Sequence, residues 1–149
     1  MNGIYLLRAG LSALAILFID LCVNGFFEQP LAWFLLAYCL IGMIITPSRT
    51  IFCLLAGAVA VDSLLLYGNF ALVPVSLVPI ALAGRLMMQV INAPVLICGL
   101  SVSGAIAAQH YLIDPYIRGQ NTVDMRYTMI SIAVTLIGSG CFYLKFQKR

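Results

Sequence analysis

Four polar side chains interrupt the long apolar runs of this 149-residue chain: Asp20, Asp62, Gln109 and His110. A charge at the centre of a bilayer costs about 2.5–3.5 kcal/mol on insertion scales, so an aspartate there marks a site, a relay or a contact between helices. Counted from the ends of their apolar runs, Asp20 and Asp62 each lie roughly 8–9 Å below the same surface, and Gln109 and His110 approach that level. Together they have the chemistry of a polar pocket that binds a solute or passes protons. The plainer reading is that each aspartate snorkels outward, caps a helix end or bonds to a neighbouring helix. Sequence patterns for catalysis are missing: there is no Ser-His-Asp set, HExxH, P-loop or GxGxxG. One histidine and five cysteines (Cys22, Cys39, Cys53, Cys98, Cys141), spread over different runs with no CxxC, predict neither a metal site nor a disulfide framework. A pair of aspartates can serve an intramembrane hydrolase, but the Gly, Asn or Arg patterns around such pairs are lacking. The expectation is a protein that is not an enzyme and uses no cofactor or metal.

The elements that must position these residues are set by composition. The chain is 63% hydrophobic and only 9% charged, against about 25% charged in ordinary soluble domains. A water-soluble fold of this length would expose large apolar patches and associate. A helix needs roughly 20 apolar residues to cross a bilayer, and the runs are continuous, not alternating, which excludes an open sheet in lipid. Six helices are predicted, at about 4–23, 30–46, 49–67, 70–88, 93–113 and 127–146, in a single transmembrane domain. The first reads as a retained helix, since no cleavage signal follows it. Asn24-Gly25 stops it. Pro30 suits the first turn of the second, and Ser48 caps the third. Gly68-Asn69 is a turn. Pro74 and Pro79 fall in the fourth helix, which Pro79 should kink; a re-entrant segment is the other way to read it. Residues 114–126 form a polar outer loop, closed by Asn121 and Asp124 as a capping box before the sixth helix.

Basic residues set the orientation. With the N-terminus inside, Arg8, Arg49, Arg85, Lys145, Lys148 and Arg149 fall on the inner side and only Arg118 and Arg126 on the outer. The prediction is an all-α, six-transmembrane helical bundle, N-in and C-in. The net charge of +3 follows from topology and does not indicate nucleic acid. Ala9/Ala13, Ala56/Ala60 and the stripe Ser131-Thr135-Ser139 put small residues at helical spacing, which lets helices approach closely in lipid.

From Gln29 to about Gly84 the chain resembles the rod shape-determining MreD family of bacterial inner-membrane proteins. Pro30 and Trp33 open an apolar helix with Tyr38 further along it. Thr46-Pro47-Ser48-Arg49 is similar to the family's proline-plus-basic inner turn, and Gly57 to Asp62 is similar to its glycine-to-aspartate helix. The pattern departs at Gln29, where a basic residue is usual, and at Leu66, where a glycine is. The resemblance implies a non-enzymatic scaffold of the cell-elongation machinery in the bacterial inner (cytoplasmic) membrane. Its implied partners are a bitopic MreC-like cell-shape protein and, through it, the peptidoglycan elongation enzymes. Trp33, Pro47, Arg49 and Asp62 are the family-like positions, with roles in fold or partner contact. An alternative is the substrate-binding S-component of energy-coupling-factor transporters. Those proteins are also six-helical and present an Ala-xxx-Ala face on the first helix, to which Ala9 and Ala13 are similar. Asp20, Asp62, Gln109 and His110 would then line an outer-half pocket.

Overall fold

The computed structural model describes residues 3–27, 31–119 and 124–147. Among them all regular structure is helical: α1 (Gly3–Asn24), α2 (Phe34–Ile45), α3 (Arg49–Tyr67), α4 (Leu72–Val90), α5 (Pro94–Ala108), a π turn (Gln109–Ile113), α6 (Asp114–Arg118) and α7 (Met125–Gln147). With α5, the π turn and α6 taken as one continuous rod, there are six helical rods.

Five of the rods are long and apolar enough to cross a membrane. The sixth, α2, has 12 residues and so rises only about 18 Å, short of a hydrocarbon core about 30 Å thick. It is nevertheless the centre of the molecule. It packs against α1, α3, α4, α5 and α7, and those five follow one another in space as α1–α3–α4–α5–α7. Every residue from Leu35 to Ile44 is buried, as expected of a helix that is apolar on all sides. The surrounding helices are different. Their most apolar windows are only 22–44% buried, and on α1 the buried residues Ala9, Ala13, Ile16 and Asp20 make a single stripe while Leu7, Leu11, Leu14 and Phe18 face outward. Apolar surface on that scale is stable only against lipid. The protein is a multi-pass helical membrane protein.

Close packing around α2 depends on glycine at three points: a Cβ at Gly42 of α2 itself would stand 2.6 Å from Cδ1 of Leu55, and α4 and α7 each contribute one more. A Cβ at Gly84 of α4 would stand 2.8 Å from Cδ1 of Ile44, and one at Gly138 of α7 would collide with the ring of Phe34. Both contacts are made by α2 side chains that need the missing Cβ.

The predicted helix boundaries hold for α3 and to within two residues for α1, α4 and α7. Helix four runs unbroken through Pro79 and is one of the five long enough to cross. Two expectations are corrected. The second helix does not begin at about residue 30 but at Phe34, because residues 31–33 find hydrogen bonds elsewhere, as described below; Pro30 itself lies outside the described residues. The polar loop does not begin at 114, because helical structure continues from the π turn through Arg118. Asp114 and Pro115 are good first-turn residues, and Gly119 ends the rod in a left-handed conformation at φ 63°. Asn121 of the expected capping box lies outside the described residues. Its partner Asp124 accepts a hydrogen bond from the backbone N–H of Arg126 at 2.9 Å.

Candidate functional site

The first turn of a helix presents N–H groups that have no partner within the helix. At membrane depth each must be satisfied inside the protein, and non-helical backbone is tolerated only where protein surrounds it. Residues 31–33 precede α2 without regular structure, yet Ala32 and Trp33 are 0% and 1% exposed. Four side chains from two other helices solve this. The Asn24 Oδ1 of α1 accepts the N–H groups of Leu31 (3.0 Å) and Ala32 (2.9 Å), and its Nδ2 donates to the Ala32 carbonyl (2.8 Å). Thr135 Oγ1 of α7 accepts from Trp33 N–H at 3.2 Å. The Asp20 carboxylate accepts from Phe34 N–H (3.1 Å) with one oxygen and from Leu35 N–H (2.6 Å) with the other. Ser131 Oγ of α7 donates to the Leu31 carbonyl at 2.7 Å. Five successive backbone N–H groups are thereby occupied.

Asp20 also places a negative charge at the positive end of the α2 dipole. The other end is matched. Arg85 of α4 donates from Nε to the Met43 carbonyl and from its terminal nitrogen to the Thr46 carbonyl, and its guanidinium lies 4.9 Å from the Phe52 ring centroid. A carboxylate and a guanidinium from different helices therefore hold the two ends of one buried helix.

A second polar group gathers around Trp33. His110, on the π turn, meets Trp33 edge-on at 5.9 Å between ring centroids and Tyr127 of α7 at the same separation. His110 Nδ1 lies 3.4 Å from Asp114 Oδ2, and the other Asp114 oxygen accepts from the Tyr67 hydroxyl at 2.7 Å. Gln109 Nε2 donates to Ser76 Oγ of α4 at 3.0 Å. π turns are frequent at functional sites, and this one places Gln109 and His110 in the bundle interior, 0% and 3% exposed.

Of the four sequence-predicted polar residues, the structure thus buries all. Asp20 and His110 flank neighbouring residues of one segment, Phe34 and Trp33. Asp62 is 6% exposed, and its side chain makes no hydrogen bond to another described residue. Gln109 turns toward α4. Of the family-like positions, Trp33 is the residue just ahead of α2 and Asp62 is buried, whereas Pro47 is exposed in the turn between α2 and α3 and Arg49 is exposed at the start of α3. Sequence reasoning missed Asn24, Tyr67, Arg85 and Asp114 as members of these networks. Asn24 was within reach, since it stands one helical turn after Asp20 and shares its face. The Ser131-Thr135 stripe, expected to pack, both packs and bonds.

Among the described residues no group of three or more His, Cys, Asp or Glu side chains is arranged to hold a metal ion. Comparison with protein-family profiles, with curated proteins and with solved structures finds no match for this chain.

Proposed function

We propose that this protein is a non-enzymatic scaffold of the bacterial cell-elongation machinery in the inner membrane, with both ends in the cytoplasm. The observation that carries the reading is where the membrane-embedded polar groups are spent. Asp20 and Asn24 receive four backbone N–H groups of the segment leading into α2, so they hold the fold and are not free for a solute. The resemblance of residues 29–84 to the MreD family supports the specific setting, and the distribution of basic residues supports the orientation. In this reading an MreC-like bitopic protein docks on the lipid-facing helices, among them the face of α3 that exposes Val61 and Leu65, and Asp62, buried beside Val61, is a fold or partner position by the resemblance alone.

The transporter S-component alternative loses a main support. Ala9 and Ala13 are 0% and 4% exposed and packed within the chain, so they do not present a surface to a coupling subunit.

Recovery of the protein from native membranes in mild detergent tests the proposal. Cell-wall elongation proteins should accompany it, and the Asp62→Asn variant should reduce that recovery or alter cell shape while solute uptake stays normal. Co-purification of coupling ATPase subunits, or lost uptake with normal shape, would overturn it.

A further inference from the structure

Three side-chain polar atoms in the outer half are fully buried and lack a hydrogen-bond partner: Trp33 Nε1, His110 Nε2 and Gln109 Oε1. Such groups are rare in folded proteins because each forfeits its hydration, and a buried small molecule is the usual partner. The unused capacity here has a defined sense. Trp33 Nε1–H can only donate. Gln109 has committed its amide nitrogen to Ser76, which leaves its carbonyl oxygen to accept. For His110, the Asp114 carboxylate 3.4 Å from Nδ1 can only accept, so a neutral imidazole with its proton on Nδ1 leaves Nε2 a lone pair. The carboxylate is itself held by Tyr67. One donor and two acceptors remain.

We propose that Trp33, His110 and Gln109 form an internal binding site for a small hydroxyl compound, with water as the simplest guest. Its oxygen accepts from Trp33 Nε1–H, and its O–H donates to His110 Nε2; a water molecule has a second O–H for Gln109 Oε1. An ammonium ion has no lone pair for the indole, and an anion has no proton for His110. The Trp33 and His110 rings are edge-on neighbours, 5.9 Å between centroids, and Gln109 is the residue next to His110 on the π turn. The bridge would join Tyr67, Asp114, His110 and Trp33 into one chain of polar contacts from α3 across the π turn to the head of α2. This inference does not rest on the scaffold reading.

The chain has one tryptophan and one histidine, so nitrogen-15 NMR of the full-length protein in perdeuterated-lipid nanodiscs reports on both without ambiguity. The expected result is a His110 with its proton on Nδ1, and magnetisation transfer to the Trp33 indole proton from water. Transfer from the carbon-bound protons of an added or co-purified alcohol would identify an organic hydroxyl guest and equally support the site. In His110→Phe, which keeps an aromatic ring against Trp33, the transfer should be lost; in Tyr127→Phe it should persist. An indole proton with no transfer from either source, or a His110 carrying its proton on Nε2 alone, would overturn the proposal.

Discussion

At the scale of single residues, the decisive side chains are Asp20 and Asn24, one helical turn apart on α1. Asp20 accepts two N–H groups with two different oxygens, and both donors lie where water does not replace a lost acceptor. Leaving a buried donor unsatisfied costs about 1–3 kcal/mol. Asp20→Ala is therefore expected to lower thermal stability in detergent by several degrees, and Asp20→Asn, which retains one acceptor oxygen, by less. Equal losses in the two variants, or none, would show that the carboxylate does not cap α2. The sequence made Asp20 conspicuous as a charge in an apolar run, and capping a helix end was one of the readings it allowed. It did not reveal which helix end, because the donors are 14 and 15 residues away across a turn whose geometry no local pattern encodes. Arg85 was hidden for a related reason. A basic residue near the inner end of a helix reads as an orientation signal, and only the fold shows that it reaches the carbonyl end of α2.

At the scale of elements, α2 is the part least legible in advance. Hydropathy marks an apolar stretch from 30 to 46 but does not separate helix from extended chain when both are buried. The first residues of the stretch leave the helix because Asn24, Ser131 and Thr135 offer hydrogen bonds that a helix would otherwise supply. Run length and the turn residues between runs place α1, α3, α4 and α7 within two residues of their observed bounds. Packing against α2 yields a second test. Gly138→Val places atoms where the Phe34 ring stands, and forcing extra carbons into such a contact typically costs about 1–3 kcal/mol. Gly140→Val, two residues along the same helix, meets open space. The first variant should be clearly less thermostable than the wild type and the second close to it. Matching behaviour in the two would mean that α7 does not approach α2 as closely as described.

At the scale of the whole molecule, five lipid-facing helices enclose one short helix whose ends are held by opposite charges. The apolar outer faces make the bilayer part of the structure, and the basic residues give the chain its expected sidedness. A topology reporter placed in the connection after Gly119 should be read on the outer side, and one at the C-terminus in the cytoplasm; the reverse pair would refute the N-in, C-in orientation. The enclosed helix is open to a more direct measurement, site-resolved amide hydrogen exchange of the protein in nanodiscs. The N–H groups of Leu31 to Leu35 should exchange as slowly as those in the middle of α2, although three of the five lie outside it. The combined Asp20→Ala and Asn24→Ala variant should accelerate Leu31, Ala32, Phe34 and Leu35 while leaving the middle of α3 protected. Rapid exchange of these amides in the wild type, or no change in the variant, would contradict a central helix held by side chains of its neighbours.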